Sequence, residues 1–394
     1  MTLTLPVVGQ PELTVVMVTH GAWPLIERAV GALIDHTPRS FELIVVDNGS
    51  DADTRAQLDR LQNARLLAND QNRGFGPASN QGAESARGEI LVLLNSDAFV
   101  QAGWLEPLLE TLGRPVVGAV VPCVLNPDGS LQEAGALLAR DGTVLLYGEG
   151  DEPGLGCYRF PRRVDYGSAV CMAVGRSTFS RLGGFDEAYV PAYYEDTDLC
   201  MRVAAHGMAV MYEPRSRVTH VRYGSGDLDD AIKLSEPNRK LFAERWVTQL
   251  EGRPPTFTDA SDQAAIASRD AWSRPRLLIC SGAEPGGAQR LADDLLAGWP
   301  RARVTWATDA AFDLDDWLAR GVEILPAADA RWLAGRLFHY DVVVRARRLP
   351  GGLSKAVDRT QPQAALLSLE ELGATRSPEL VPALAAAGIA PPEE

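Results

Sequence analysis

Apolar residues in the N-terminal part of the chain fall into short, nearly unbroken runs separated by helix-length segments. Leu13-Thr14-Val15-Val16-Met17-Val18-Thr19 and Phe41-Glu42-Leu43-Ile44-Val45-Val46 have strand length. Arg65-Leu66-Leu67-Ala68 is a shorter third run and Glu89-Ile90-Leu91-Val92-Leu93-Leu94 a fourth. Strands buried on both faces read this way, whereas a strand with one wet face alternates. Helical segments from about Trp23 to His36 and from Ser50 to about Leu61 lie between them, so the pattern predicts an α/β fold on a parallel sheet. Functional groups in such sheets gather beyond the carboxyl ends of the strands. Thr19, Asp47-Asn48-Gly49-Ser50 and Asn95-Ser96-Asp97 stand at those ends.

Each of these polar ends also has an ordinary reading. Asp47-Asn48-Gly49-Ser50 suits a turn with a helix cap, and Asp97 suits a turn. A carboxylate directly after a buried strand is nonetheless poorly placed for stability and well placed for a hard divalent ion, which takes oxygen ligands and bridges them to phosphates. Between these ends, Asn72-Arg73-Gly74-Phe75-Gly76-Pro77-Ala78-Ser79-Asn80-Gln81-Gly82 is a glycine-rich turn leading into a helix. It lacks the Gly-Lys-Ser/Thr ending of a P-loop, but a helix N-terminus beside Arg73 can receive a diphosphate.

Farther on, Val116 to Leu125 and Tyr166 to Val174 return to strand character, with a turn at Asn126 to Ser130 and a glycine-rich loop region from about Leu137 to Arg163. The stretch Gly183 to Arg202 then packs five carboxylates into twenty residues beside a run of tyrosines. Its second half, from Tyr194-Glu195-Asp196-Thr197-Asp198, has the form of a helix start, because acidic side chains are stabilised at the positive end of the helix dipole. Short strands at Ala209–Tyr212 and Arg217–His220 follow, ending in His220-Val221-Arg222-Tyr223-Gly224-Ser225-Gly226. A lone histidine such as His220, taken by itself, is a structural residue.

From Arg276 onward, strand-like Arg276–Cys280, Val304–Thr308, Val322–Leu325 and Val342–Val344 alternate with helical segments, predicting a small Rossmann-like sheet of about four strands. Its turn, Ser281 to Gly287, is not the dinucleotide fingerprint, and no acidic residue is placed for a ribose. The polar, Pro-containing segment before it has the composition of a linker. The expected division is 1–252 for the first domain, 253–274 for the linker and 275–394 for the second domain, with the last residues from Ala390 disordered.

Composition narrows the function. The chain has 394 residues, 46% hydrophobic and 23% charged, enough for several domains. A net charge of −14 argues against a nucleic-acid binder, and requires positive charge to be concentrated locally if the substrate is anionic. Cys123, Cys157, Cys171, Cys200 and Cys280 are scattered without a CxxC pair, so neither a disulfide framework nor a zinc site is indicated. The start of the chain lacks signal-peptide character and no run reaches membrane-span length, which predicts a cytoplasmic protein.

Taken in order, these segments resemble a family-two glycosyltransferase of the GT-A fold, particularly the bacterial rhamnosyltransferase and galactofuranosyltransferase branch. The motifs that carry the resemblance are Asp47-Asn48-Gly49-Ser50, Asn72-Arg73-Gly74-Phe75-Gly76, Leu94-Asn95-Ser96-Asp97, and Gly183-Gly184-Phe185-Asp186-Glu187 through Glu195-Asp196-Thr197-Asp198-Leu199. The similarity covers roughly Leu13 to Trp246. It implies that Thr19 and Asp47 hold the base and ribose of a UDP- or dTDP-sugar, with Asn72, Arg73 and Asn80 along the nucleotide and diphosphate. Asn95, Ser96 and Asp97 stand at the family's DxD motif, so Asp97 would bind Mn²⁺ or Mg²⁺. Asn95 replaces the first acidic residue of that motif. His220 matches a third metal ligand, Asp196 the general base, and Glu195 an acceptor-binding or orienting partner.

The implied activity is inverting transfer of a sugar to a hydroxyl of a glycan or lipid-linked glycan, with peripheral contact at the inner membrane. Trp104, Tyr189, Tyr193 and Tyr194 are candidates to stack on sugar faces, or else core residues. Residues 275–394 would serve acceptor binding, self-association or assembly. Because of Asn95, a catalytically weak scaffold of the same fold stays open as a second reading. A nucleotidyltransferase lacks its Gly-x-Gly-Thr-Arg start here.

Overall fold

The computed structural model describes residues 3–222, 228–257, 262–281, 287–299, 301–310 and 315–369. The expectations for Tyr223 to Gly226, for the glycine turn 282–286 and for the terminal residues lie outside them. The chain divides into two compact units, one formed by 1–153 and 162–257, the other by 154–161 and 258–394.

The first unit is built on a ten-stranded sheet. Strands β1 (Leu13–Thr19), β2 (Phe41–Asn48), β3 (Arg65–Asn69) and β4 (Ile90–Leu94) are the apolar runs of the sequence, parallel and ordered β3-β2-β1-β4. Their core residues Leu13, Val15, Met17, Leu43 and Val45 are nearly inaccessible, as unbroken apolar runs require. The expectation of a parallel sheet holds for this half only. Beyond β4 the order continues through β9 (Cys171–Gly175), β6 (Val117–Leu125), β10 (Ala209–His220) and β8 (Arg162–Val164). Here β9 runs antiparallel to both β4 and β6, while β10 is parallel to β6. β9 is buried along nearly its whole length, and a buried apolar run reads the same in either direction, so its composition carries no sign of its direction. This mixed sheet fits the expected GT-A class.

Short strands β5 (Ala98–Val100) and β7 (Leu131–Glu133) attach to β10 and β6. Pairing of β5 with β10 sets His220 opposite Ala98, and the Val221 amide donates to the Asp97 carbonyl at 3.1 Å. Trp104 is fully buried and donates its indole N–H to Thr37 Oγ1 at 3.3 Å, so it is a core residue and not a sugar platform.

The acidic helix α3 (Glu195–Ala205; α1 is Trp23–His36 and α2 is Phe75–Glu84) is anchored through Asp198. This carboxylate has no exposed surface and accepts from Arg202 Nε (2.7 Å), Trp246 Nε1 (2.9 Å), Arg245 (3.1 Å) and Tyr189 OH (3.2 Å). Arg245 and Trp246 come from the end of helix α4 (Leu228–Arg245) and the residue after it, so one buried charge ties α3 to α4. Among the described residues no helix is long and apolar enough to cross a membrane.

Among the described residues the second unit carries a sheet of five parallel strands, where about four were expected. β11 (Arg276–Cys280) lies at the centre, flanked by β12 (Arg303–Ala307) and β13 (Glu323–Leu325) on one side and β14 (Val342–Arg345) and β15 (Ala365–Ser368) on the other. The segment with linker composition contains helix α5 (Asp262–Arg269), and Arg269 and Asp270 at its end are buried in this unit. What makes that possible is charge matching. Glu323 accepts from Arg269 (3.0 and 3.2 Å), from Arg336 (2.7 and 2.8 Å) and from Thr305 Oγ1 (2.9 Å). Asp270 accepts from Arg269 (2.7 and 2.9 Å), Arg303 (3.2 Å) and His339 (2.9 Å). Burial by itself would raise the Glu323 pKa, but the guanidinium groups outweigh it and hold the carboxylate below its usual range.

Glu323→Ala strands Arg269 and Arg336 without their shared carboxylate. Removing one partner of a buried ion pair costs about 3–5 kcal/mol. Chemical denaturation followed by tryptophan fluorescence should therefore show the second unit unfolding at markedly lower denaturant.

Candidate donor and catalytic site

The carboxyl ends of β1 and β2 lie side by side, with Thr19 paired in register with Asp47. Asp47 is buried and accepts from the Ser50 amide at 2.9 Å and from Arg55 Nε at 2.8 Å. Ser50 Oγ in turn accepts from the Gly21 amide at 2.9 Å, and Thr19 Oγ1 donates to the Gly21 carbonyl at 3.2 Å. Asn48, not singled out from the sequence, is the hub of this region. Its amide donates to Asn72 Oδ1 (2.9 Å) and the Gly74 carbonyl (3.2 Å), and its oxygen accepts from Asn69 (3.1 Å) and the Arg73 amide (3.0 Å).

Asn72 and Arg73 are thereby presented at the surface beside the start of α2. Glycine is required at position 74, where φ is +93° and a Cβ would sit 2.8 Å from the Pro191 carbonyl oxygen. That same oxygen accepts from the Phe75 amide at 2.9 Å, so the loop before α2 and the segment before α3 meet backbone to backbone. Asn80, expected along the nucleotide, contacts the Gly-Gly-Phe loop. Its side chain brackets Phe185, donating to the carbonyl at 2.9 Å and accepting from the amide at 2.8 Å, which engages both polar atoms in holding the Gly-Gly-Phe loop.

Asp97 and His220 are brought together, with 3.2 Å between Oδ1 and Nε2. Two cis ligands of an octahedral ion at about 2.1 Å lie about 3 Å apart. Asn95 and Ser96 are partly exposed next to them, and among the described residues the Asn95 side chain makes no hydrogen bond. No group of three or more acidic, histidine or cysteine side chains is poised as a complete metal cage among the described residues. A protein pair completed by phosphate oxygens and water is the usual manner of Mg²⁺-type sites.

Glu195 and Asp196 open helix α3 and are buried, at 5% and 9% exposure. The turn before them is strained, since Tyr193 and Tyr194 both have φ of +73°. Asn238 holds that turn from α4, its Nδ2 lying 2.7, 2.9 and 3.0 Å from the carbonyls of Tyr189, Ala192 and Tyr193. Tyr194 is buried with its hydroxyl on the Gly142 carbonyl, and Tyr189 is buried against Asp198, so of the three tyrosines only Tyr193 is exposed.

The two adjacent carboxyls are not equivalent. Asp196 accepts from the amides of Thr197 (2.7 Å) and Ala169 (2.9 Å), from Tyr166 OH (3.1 Å) and from Thr197 Oγ1 (3.3 Å). Glu195 Oε2 is buried with no partner among the described residues. Burial raises both pKa values, opposed at Asp196 by its donors and reinforced at Glu195 by the neighbouring charge. Burial and the Asp196 charge thus favour the protonated form of Glu195, while Asp196 is a stronger base than a free aspartate.

The short strand β7 adds two residues that the sequence did not flag. Glu133 is buried, accepts from the Ser168 amide at 3.1 Å, and lies in the field of both Asp196 and His220. Successive amides, Ser168 and Ala169, thus serve Glu133 and Asp196. Burial pushes the Glu133 pKa up to about 7. Gln132, its neighbour, contacts His220 directly. The available signal was a polar pair inside an otherwise apolar stretch, Leu131-Gln132-Glu133-Ala134, directly after a turn.

The family model for glycosyl transferase family 2 matches residues 14–167, which span β1 to β7 and the loops bearing Asp47, Arg73 and Asp97. The N-acetylglucosaminyl-diphospho-decaprenol L-rhamnosyltransferase of Mycobacterium tuberculosis is 31% identical over 254 residues, covering 58% of this chain and 82% of that protein. The chain belongs to glycosyltransferase family 2. Two longer relatives are the uncharacterized protein y4gI of Sinorhizobium fredii, 30% identical over 259 residues, and the O-antigen biosynthesis protein RfbC of Myxococcus xanthus, 30% identical over 260 residues. The matches take in 62% and 63% of this chain but only 28% and 20% of those proteins. The chain thus spans less than a third of the length of these two relatives.

The Glu133 pKa is raised on folding, so the folded chain holds a proton that the unfolded chain releases. That contribution to stability is present below the ordinary glutamate value and is lost as pH rises through about 7. Glu133→Gln keeps an acceptor for the Ser168 amide without the charge. In chelator-treated protein the variant should melt several degrees above wild type at pH 8 and close to it at pH 5. Equal melting differences at both pH values would contradict a protonated Glu133.

Proposed function

We propose that this glycosyltransferase moves a sugar from a UDP- or dTDP-linked donor to a hydroxyl of a glycan or lipid-linked glycan, with inversion and with Mn²⁺ or Mg²⁺, in the synthesis of a cell-surface polysaccharide or O-antigen. The observation that carries the reading is Asp196, a buried carboxylate at a helix start that accepts from the Thr197 and Ala169 amides and Tyr166 OH, with burial raising its basicity. Relatives that act on a decaprenol-linked sugar and in O-antigen synthesis support the acceptor class.

In this mechanism the acceptor hydroxyl attacks the anomeric carbon, the bond from that carbon to the diphosphate oxygen breaks, and the hydroxyl proton passes to Asp196. Glu195, through Oε2, would hydrogen-bond the acceptor. Thr19 and Asp47 border the base and ribose, while Asn72 and Arg73 lie along the diphosphate at the start of α2, where backbone amides favour anions. Asp97 and His220 fit a divalent ion, with Asn95 and Ser96 beside them. When bound, that ion would offset charge building on the leaving diphosphate. Residues 275–394 would bind acceptor, a second copy or an assembly partner, and the enzyme would work in the cytoplasm with peripheral contact at the inner membrane. Asn95 favours a second reading, a catalytically weak scaffold of the same fold.

Calorimetry with a panel of UDP-, dTDP- and GDP-sugars, in Mn²⁺ and then in chelator, tests both. One donor should bind with metal, and Asp97→Ala should abolish that binding. Asp196→Asn should bind the donor as wild type does and lose on the order of 10²–10⁴ in transfer rate, the usual contribution of a general base. Transfer at near wild-type rate in Asp196→Asn would sink the base assignment, and no binding of any donor would favour the scaffold.

A further inference from the structure

The contacts of Gln132 fix more than the position of one ring. Gln132 Nε2 lies 3.3 Å from the His220 backbone carbonyl and 3.0 Å from Asn126 Oδ1, while Oε1 lies 2.7 Å from His220 Nδ1. A backbone carbonyl can only accept, so the amide nitrogen of Gln132 must face it. Its oxygen is then left for Nδ1, and an oxygen there requires a proton on Nδ1. In the neutral ring Nε2 consequently carries a lone pair, and that lone pair faces Asp97 Oδ1 at 3.2 Å. Two acceptors at this distance repel unless a cation lies between them. Without Gln132 the neutral ring would put its proton on Nε2 and donate it to Asp97, which would close the pair to a metal.

We propose that Gln132 is a positioning residue that locks His220 in the Nδ1–H tautomer and so keeps the Asp97–His220 pair open to a divalent cation. The inference rests on the metal reading given above for this pair. It also accounts for a buried glutamine, 4% exposed, on a strand only three residues long. Partners of metal-bound histidines typically change metal affinity by 10–100-fold.

Nitrogen NMR of the metal-free protein reads the tautomer directly, at a pH where the ring is neutral and with His220→Gln to assign the signal. Wild type should show Nδ1–H. Gln132→Met, of similar length but without hydrogen bonds, should shift the ring toward Nε2–H and weaken Mn²⁺ binding, measured by calorimetry, by 10–100-fold. Gln132→Glu retains an acceptor for Nδ1 but loses the donor to the His220 carbonyl and Asn126 Oδ1, so it should keep the Nδ1–H tautomer and bind Mn²⁺ more tightly than Gln132→Met. Circular dichroism checks that each variant folds; should Gln132→Met not fold, the wild-type tautomer and the Gln132→Glu pair decide. Nε2–H as the main form of the wild-type ring overturns the proposal, as does unchanged Mn²⁺ affinity in folded Gln132→Met. If the tautomer follows Gln132 but wild type binds no Mn²⁺, the metal reading fails while the orienting role of Gln132 on His220 survives.

Discussion

The rest of the first unit depends on burying four carboxyl groups, Glu133, Glu195, Asp196 and Asp198, around the start of one helix. An ionised carboxylate taken out of water costs several kcal/mol unless something compensates it. The chain meets this in opposite ways. Asp198 is given Arg202 and Arg245, with Trp246 and Tyr189 completing its shell, and it behaves as a structural anion. No arginine or lysine pairs with Glu133, Glu195 or Asp196 among the described residues, so protons, backbone amides and a tyrosine do the compensating. The fully paired group fixes the helix, and the under-compensated ones are left responsive to a proton or a cation.

That division explains why the surrounding backbone is so tightly constrained. Two successive tyrosines in the left-handed region are costly, on the order of 1–3 kcal/mol each. They persist because Asn238 gathers three carbonyls of the turn and Asp198 draws the end of the same helix inward. The Pro191 carbonyl of this turn also receives the Phe75 amide, so the loop bearing Arg73 is positioned by the segment bearing the candidate base. These two segments are therefore held together backbone to backbone, and glycine at 74 is what lets them approach.

How much of this the sequence discloses depends on which property a residue type reports. Apolar runs report burial, which is why β1, β2 and β4 and the strand ends at Thr19, Asp47 and Asp97 were legible, whereas β3 is a mostly exposed or half-buried strand. They do not report direction, so the antiparallel β9 was not. Aromatic content reports area rather than face, and Trp104, Tyr189 and Tyr194, weighed as sugar platforms, are core residues. Polar composition around 253–274 suggested a solvated linker, but Arg269 and Asp270 are charged and buried because their partners, Glu323, Arg303 and His339, come from distant strands and loops. Asn80, read from its motif, holds Phe185, a contact that no local pattern encodes. The pairing of Asp97 with His220 lies across 123 positions and came only through the family resemblance.

Gln132 and Glu133 were the least legible of the important residues, and the reason bears on how such sites are built. A strand of three residues has no periodicity to read, and an uncharged glutamine beside a glutamate resembles a surface edge. Yet alternation along that strand sends adjacent side chains to opposite sides, one to the imidazole and one to the Ser168 amide, next to the Ala169 amide that serves Asp196. A single short strand can in this way set the tautomer at one end of the site and the charge at the other. Any change to its register would disturb both together, because a one-residue slip exchanges the two faces. The turn at Asn126–Ser130, where Asn126 also accepts from Gln132 at 3.0 Å, pins that register, so the geometry of the site reaches back to a surface turn with no reactive group of its own.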